Sequence, residues 1–464
     1  AIQSESDLGS LHSEMGDRVV TLPGETLAET YLNGAAIIDA AKTCGADAIH
    51  PGYGFLSERS EFAQSVTDAG LIWIGPSPEA IDSMGDKVTA RRRMENASVP
   101  VIPGQEVNVG NDENSTIDSL VDAATFVGYP LLLKASAGGG GKGMRIVREP
   151  KLLQQEFSAA QREAESAFGD GTVYIERLLE NSRHIEVQIL ADNHGNTLHL
   201  FERECSIQRR HQKVVEEAPS PVLNSETREA MGLAAVSAAR AVSYSGAGTV
   251  EFLLSEDGSF YFLEMNTRIQ VEHPVTECIS GIDLVEQQIR VASGLPLPFS
   301  QKDLSIRGHA IEVRIYAEDP SLGFLPATGP LAVFHPPEGP GVRLDTGVRQ
   351  GDEARIDFDP MLAKLIVHGS DRDQAIRRMN RALKSFVILG ATTNIGFLID
   401  IMQHPSYISG DTTTNFIEIH FPEGWTSPTI DLSATIVAAS AEHLGLHRNM
   451  VSVSSDSQGR TTSN

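Results

Sequence analysis

Two glutamates, and the short run that follows the second, carry the clearest chemistry in this sequence. Glu251 lies in Gly-Thr-Val-Glu-Phe-Leu-Leu and Glu264 in Ser-Phe-Tyr-Phe-Leu-Glu-Met-Asn. Both segments alternate apolar and polar residues, the pattern of half-buried strands. Asp257-Gly258 between them is a two-residue hairpin signal, and a turn there sets Glu251 directly opposite Glu264 on one face. Like charges so placed repel unless a cation lies between them. Asn266 and Arg268 share the parity of Glu264 and point the same way while the strand stays regular. Two carboxylates and an amide are hard oxygen donors, suited to a Mg²⁺ ion held partly by phosphate oxygens. The alternative is two solvated glutamates on an exposed sheet face. Directly after Arg268 come Gln270, Val271, Glu272 and His273. Glu272 is placed to act as a general base toward a small oxyanion gripped by Arg268. His273-Pro274 reads as structural, because the residue before proline is held extended.

Other segments suggest phosphate. Ala137-Gly138-Gly139-Gly140-Gly141-Lys142-Gly143-Met144 lies between two predicted strands. A glycine run exposes backbone N–H groups and accepts the φ values of a phosphate-wrapping nest. It is not a Walker A loop, since Gly143 follows Lys142 and no helix comes next. Alone it also fits a plain surface hairpin. Lys134, ending Pro-Leu-Leu-Leu-Lys just upstream, suits a phosphate point charge, or else a strand-end lysine that snorkels. Glu176, ending Thr-Val-Tyr-Ile-Glu, is an ordinary strand-end carboxylate by default; such segments can also meet adenine and ribose. Gln208, Arg209, Arg210, His211 and Lys213 fall within six positions. They form either an anion cradle or a solvated basic loop paired with Glu216 and Glu217. Arg343, in Gly-Val-Arg-Leu-Asp, reads by itself as a surface arginine.

The elements that must position these groups fall into four segments. Residues 1–85 alternate short apolar strands (Arg-Val-Val-Thr-Leu, Asp-Ala-Ile-His, Leu-Ile-Trp-Ile) with helical patterns at 29–43 and 57–69, which implies a parallel sheet. Residues 86–303 hold a second domain. Within it, 106–178 form a small α+β unit, and Asn193-His-Gly195 marks a hairpin before a helix at 225–243. Residues 304–424 are strand-rich with two helices. Residues 425–464 are polar, Ser/Thr-rich and read as a linker or disordered tail. No apolar run approaches the roughly 18 residues of a membrane span. The net charge of −25 argues against a general nucleic-acid binder. Three cysteines without a CxxC give neither a disulfide framework nor a zinc site, which fits a reducing, intracellular compartment.

Taken in order, His-Pro-Gly-Tyr-Gly-Phe-Leu-Ser-Glu, Met-Gly-Asp-Lys87, the Lys134 glycine loop, Arg-Glu-Cys-Ser-Ile-Gln-Arg-Arg-His-Gln-Lys, the Glu264 run and Arg-Gly-His-Ala-Ile-Glu-Val-Arg-Ile-Tyr-Ala-Glu-Asp-Pro resemble the biotin carboxylases of the ATP-grasp superfamily. The likeness runs from residue 1 to about 424. Downstream of Arg343 it looks nearest the biotin-carboxylase part of acyl-CoA carboxylase α subunits of the methylcrotonyl-, propionyl- or acetyl-CoA type. The resemblance implies an N-terminal parallel-sheet domain, an ATP-grasp domain whose 106–178 unit is a mobile lid, and a β-rich C-terminal domain. It implies that Lys87, Lys134, Gly138, Gly139, Gly140, Gly141, Glu176, Leu179, His184, Gln208 and His211 bind ATP. Glu251, Glu264 and Asn266 would hold Mg²⁺ or Mn²⁺. Lys213, Arg268, Gln270 and Val271 would bind bicarbonate, with Glu272 as base, and Arg343 would stabilise the enolate form of biotin.

The implied reaction is the first half-reaction of an acyl-CoA carboxylase. Bicarbonate attacks the γ-phosphate of ATP to give carboxyphosphate. This collapses to CO₂ and phosphate, the phosphate takes the biotin N1′ proton, and the enolate attacks CO₂. Carboxyphosphate hydrolyses readily, so a closing lid protects it. Two departures stand out. An initial strand and helix with an Asn-Arg-Gly-Glu segment is absent, so a longer natural protein is expected. No Met-Lys-Met biotinylation site occurs, so biotin is expected on a carrier domain or protein outside this chain, with a carboxyltransferase subunit as a further partner. An oligomer is expected, with no nucleic-acid or membrane partner, in the cytoplasm, or the mitochondrial matrix if eukaryotic. An ATP-grasp ligase joining a carboxylate to an amine, and an inactive ATP-binding scaffold, are the competing readings.

Overall fold

An eight-stranded antiparallel sheet is the platform of the molecule. Its strands are β1 (Arg183–Ala191), β2 (Thr197–Arg209), β3 (Gln212–Ala218), β4 (Gly246–Leu254), β5 (Phe260–Asn266), β6 (His309–Tyr316), β7 (Val342–Thr346) and β8 (Met361–Gly369). Their order across the sheet is β5-β4-β1-β2-β3-β6-β8-β7. The computed structural model describes residues 1–427 except 108–112, 136–143, 169–170 and 211, and omits the side chains of residues 87, 88, 106, 113, 114, 135, 167 and 168.

Alternation within the strands decides which face does what. On β1, Ile185, Val187 and Ile189 enter an apolar core with Val250 and Phe252 of β4 and Met231 and Ala235 of the helix Ser225–Ala241. Asn224 caps that helix by accepting from Thr227 N at 2.8 Å. Burying such aliphatic side chains supplies roughly 1.5–3 kcal/mol each. A second core lies under β6 and β8, where Val313, Leu365, Met379, Phe397 and Leu398 pack with the helices Arg372–Ser385 and Ile395–Gln403. Trp425 is buried there and donates to Asp400 Oδ2 at 2.7 Å. The ordered C-terminal unit therefore runs past 424, where a tail was expected to begin. β3 pairs with β6 through Val215↔Val313 and Glu216↔Glu312, so the sheet crosses the expected boundary at 303 without a break.

The 106–178 region, together with the strand Gly104–Glu106, forms a separate four-stranded sheet with the helices Glu113–Val127 and Leu153–Phe168 and its own apolar core. In the N-terminal segment the expected parallel pairing is present, but as two separate pairs: Ile2–Gln3 with Val20–Thr21, and Ala48–Ile49 with Ile72–Trp73. Helix Gly34–Cys44 lies between the two pairs, and helix Ser60–Asp68 links the strands of the second.

The Glu251 hairpin has a different turn from the expected one. Gly258 N donates to Ser255 O at 3.0 Å, and Ser255 N to Ser259 O at 2.8 Å. This encloses a three-residue loop, Glu256 to Gly258, with Gly258 at φ +83°, the left-handed position that glycine fills without a Cβ clash. Pairing leaves the turn as Leu254↔Phe260 and Phe252↔Phe262. An irregularity between Phe252 and Glu251 then shifts it by one residue. Glu251 therefore does pair with Glu264, because a β-bulge cancels the extra loop residue.

Candidate active site

The other face of the sheet carries a row of buried charges. Glu186 and Gln188 of β1, Arg203 of β2, Glu216 of β3, Glu251 of β4, Glu312 and Arg314 of β6 and Lys364 of β8 are all buried. The segment after β5, Asn266 to Thr276, lies against this row. Lys213 is the hub: its Nζ donates to Glu186 Oε2, to Glu251 Oε1 at 2.9 Å and to Glu272 Oε1 at 2.6 Å. Arg203 is fully buried and spends its donors on Glu186, Gln188 (2.7 Å), Thr276 (3.0 Å), Thr249 (3.1 Å) and Gln270 (2.7 Å). Arg314 links Glu216 (2.7 Å) to Glu272 Oε2 (3.0 Å). A guanidinium has no acceptor role and five donors in a fixed fork, which suits it to tie carboxylates from several strands.

This environment sets the protonation states. Burial pushes the Glu272 carboxyl up, but Lys213, Arg314 and Arg203 outweigh it and hold the group below its ordinary value. Glu251 behaves alike: Lys213 and His184 overcome burial and keep it well below the carboxylate range. His184 Nε2 lies 2.8 Å from Glu251 Oε2, close enough for an ion pair but not aligned as a hydrogen bond. For Glu216 burial wins over Arg314 and raises the carboxyl to about 7. Glu312 is pushed well above its usual value, since burial exceeds the pull of Lys364, 3.9 Å away, and neither of its oxygens accepts a hydrogen bond. Glu272 sits at the N-cap position of the helix His273–Ser280 without a side-chain capping bond, and the helix dipole there favours an anion. His273 opens that helix rather than staying extended. Its Nδ1 lies 2.7 Å from Gln270 O, and burial takes it down to about 3, so it is a neutral structural imidazole.

Most of the expected anion-binding set is assembled here. Gln270 Nε2 donates to Glu251 at 2.8 Å and Asn266 Nδ2 does so at 2.9 Å. Arg268 donates from Nη2 to Asn266 Oδ1 at 3.0 Å and from Nε to Glu58 Oε2 at 2.9 Å. Val271 offers its carbonyl to Lys364 at 2.6 Å. Glu264 is exposed at the sheet edge opposite buried Glu251, so the pair spans a wet-to-dry boundary. With Asn266 Oδ1 they offer only oxygens, a donor set that fits a hard divalent cation. Lys134 and Glu176 form an ion pair within the smaller sheet, and Leu179 is half-buried beyond it. Gln208 pairs with Lys213 across the β2–β3 hairpin. Lys87 begins a helix capped by Asp86. Gly138, Gly139, Gly140, Gly141 and His211 lie outside the described residues.

Arg343 does not contact Glu272 and approaches the site only through Asp345, which lies 3.4 Å from Lys364. It is partly exposed and held by Glu277 (2.7 Å) and Asp345 (2.8 and 2.9 Å), while the arginine in contact with Glu272 is Arg314. The reason is topological, since β7 is the far edge of the sheet and β6 lies beside β3. Glu186, Arg203, Arg314, Glu312, Lys364 and Glu58 were not singled out from sequence, and Glu216 was read only as a solvated partner of the basic loop. On alternating strands such charges read as solvent-facing, and the signal was the density of charged residues in segments as apolar as Ala-Ile-Glu-Val-Arg-Ile.

Three family models match the chain: "Biotin carboxylase, N-terminal domain" over residues 1–81, "Carbamoyl-phosphate synthase L chain, ATP binding domain" over 86–300, and "Biotin carboxylase C-terminal domain" over 312–419. A biotin carboxylase of Halalkalibacterium halodurans is 50% identical over 420 residues, 90% of this chain and 92% of its own length. The chain belongs to the biotin carboxylase family. The mitochondrial methylcrotonoyl-CoA carboxylase subunit alpha of Dictyostelium discoideum is 49% identical over 445 residues, 96% of this chain, and the chain spans 63% of that relative. A biotin carboxylase from Campylobacter jejuni, solved as a β,γ-ATP complex, superposes with a TM-score of 0.83 at 43% identity, covering 90% of this chain and 92% of the other. The biotin carboxylase domain of the Hydrogenobacter thermophilus 2-oxoglutarate carboxylase, solved as a dimer with MgADP, ADP and bicarbonate, gives a TM-score of 0.82 at 44% identity over 90% of this chain and 91% of that one. Family membership makes the reaction the ATP-dependent carboxylation of biotin. Among the described residues no helix is long and apolar enough to cross a membrane.

Proposed function

We propose that this chain performs that carboxylation on biotin carried by another domain or protein, as the first half-reaction of an acyl-CoA carboxylase, with bicarbonate bound between Lys213, Arg268, Gln270 and the Val271 backbone. The observation that carries the reading is the Lys213 hub, a single ammonium in contact with Glu251 on the proposed metal side and with Glu272 on the base side. Glu272 starts ionised but weakly basic, because Lys213 and Arg314 both bond it. When Lys213 turns a hydrogen bond toward the anion, Glu272 loses a stabilising partner and becomes a better base. Glu251, Glu264 and Asn266 would hold Mg²⁺ or Mn²⁺, which would supply neutralisation of phosphoryl charge. Lys134, Glu176, Leu179, His184, Gln208, His211, Lys87 and the Gly138–Gly141 loop would bind ATP, with residues 106–178 as the lid. Arg314 replaces Arg343 as the arginine proposed to face the enolate oxygen, since it already borders Glu272.

A carrier domain, a carboxyltransferase and a second copy of the chain are the proposed partners. Cytoplasm, or matrix in a mitochondrial setting, is the proposed compartment. The test is ATP hydrolysis with and without bicarbonate and free biotin. We expect turnover that needs bicarbonate, rises with biotin and disappears in Glu272→Ala while the nucleotide still stabilises the fold. Bicarbonate-independent turnover without carboxybiotin would overturn the reading.

A further inference from the structure

Arg268 is aimed from outside its own domain. Its guanidinium and the preceding amide, Thr267 N, both bond Glu58, at 2.9 and 3.1 Å. Glu58 ends the loop His50-Pro-Gly-Tyr-Gly-Phe-Leu-Ser-Glu, which belongs to the N-terminal segment. That loop is fixed at its start by His50, whose Nε2 lies 3.1 Å from Gln288 Oε1. At its centre Phe55 holds φ +45°, a left-handed backbone that a bulky side chain rarely adopts. Such strain persists only where the surroundings over-determine it.

Those surroundings are aromatic. The Phe55 ring stacks on Tyr31 with centroids 5.2 Å apart and planes at 16°, and Phe358 meets both rings edge-on at 5.4 and 6.2 Å. Offset-stacked and edge-to-face geometry is what ring quadrupoles favour. Tyr31 is anchored in turn, donating to Asp7 and accepting from Ser4 N at 2.9 Å. Phe358 comes from the loop between β7 and β8. That loop is tied to the N-terminal segment by Arg349, bonded to both oxygens of Glu14, and by Arg355, donating to Ser6 O at 3.1 Å.

We propose that Tyr31, Phe55 and Phe358 form a clamp that positions Arg268 through Glu58, so that these rings set the affinity for the bicarbonate anion without touching it. The inference rests on the bicarbonate site proposed above. The β7–β8 loop presses Phe358 onto Phe55, the strained loop cannot relax, and Glu58 stays where it fixes both the Arg268 side chain and its backbone. Phe55 and Phe358 are partly exposed, at 48% and 41%. The core therefore needs them little, and loss of the fold is not the expected result of trimming them.

The test is steady-state kinetics of bicarbonate-dependent ATP hydrolysis in the full chain. Phe358→Ala and Phe55→Gly should each raise KM for bicarbonate at least about fivefold, the scale on which small misplacements of a binding group act. KM for ATP should stay within about twofold of the parent. Phe358→Tyr, which keeps the ring, should restore the parent value. Unchanged bicarbonate KM in the Ala and Gly variants, or parallel losses in ATP KM and kcat, would overturn the clamp. So would failure of Phe358→Tyr to rescue. If the parent chain itself lacks bicarbonate dependence, the anion site falls first and the clamp with it, and the parent control separates the two failures.

Discussion

Replacing Lys213 with methionine should produce a stability loss whose size depends on pH in a calculable way. The ammonium contacts Glu186, Glu251 and Glu272 at 2.5, 2.9 and 2.6 Å, and all three carboxylates are buried. Methionine fills similar volume, so packing loss is small. Three buried carboxylates without their shared cation cannot all stay ionised, and the cheapest escape is for one to take a proton. Protonating a glutamate of ordinary pKa 4.5 at pH 7.5 costs about 1.4 kcal/mol for each of three pH units, or roughly 4 kcal/mol. That agrees with the roughly 3–5 kcal/mol typical of removing one partner from a buried ion pair. At pH 5.5 the same step costs only about 1.4 kcal/mol. Burial works against the Lys213 charge, but its three carboxylates outweigh it and hold the group well above its usual value, so it stays charged at both pH values and the parent keeps the hub throughout. Equilibrium urea unfolding, followed by circular dichroism and by Trp73 and Trp425 fluorescence, should therefore show Lys213→Met weaker by about 4 kcal/mol at pH 7.5 and by less than half of that at pH 5.5. A loss of equal size at both pH values would mean that packing, not uncompensated charge, is what Lys213 provides. A loss below about 1 kcal/mol at pH 7.5 would refute the hub altogether.

Three further outcomes follow from other contacts. Glu204 is buried and raised to about 7 despite Arg183 and the hydroxyls of Ser206 and Ser220. A raised carboxyl favours the fold fully below pH 4.5 and loses that contribution as pH climbs to about 7, a swing of about 3 kcal/mol; Glu204→Gln should remove this swing from the pH–stability curve. Arg314→Met should lower bicarbonate-dependent turnover about 100-fold, as loss of a charge-stabilising donor does, whereas Arg343→Met should cost less than tenfold; the reverse ranking in a side-by-side assay would return the role to Arg343. Glu264→Gln should raise the Mg²⁺ concentration for half-maximal turnover by about tenfold or more while leaving thermal stability nearly unchanged, and a matched metal titration and melting curve would reveal a purely structural role.

The gross order of elements was readable because each carries a local signal. The Asp257-Gly258 loop, the Asn224 cap and the strand alternation of β4 and β5 all announce themselves over a few residues. The Glu251–Glu264 pairing was legible only through compensation, since a three-residue loop and a bulge each displaced the register by one and cancelled. What sequence could not supply was the second cover on the sheet. Alternation in Ala-Ile-Glu-Val-Arg-Ile implies one wet face, yet every residue of β6 is buried because the Asn266–Ser280 segment lies over the polar side. Nothing local therefore marks Arg314 and Glu312 as buried, while Arg343, a surface arginine on its own residues, entered only through the family resemblance. Likewise Glu58 meets Arg268 across 210 residues of sequence, beyond any local pattern.

The pairing of β3 with β6 has a consequence for how this protein could be divided or recombined. Family models end one match at 300 and begin the next at 312, which invites a cut between them. A chain severed there would expose the full length of β3 on one fragment and of β6 on the other, two open edges with unpaired N–H and C=O groups. Such edges template intermolecular pairing. Each fragment would also strand half of a charge network, since Glu272 and Glu216 would both lose Arg314. The seam that looks modular in sequence is thus a place where exchange between relatives must keep both sides matched.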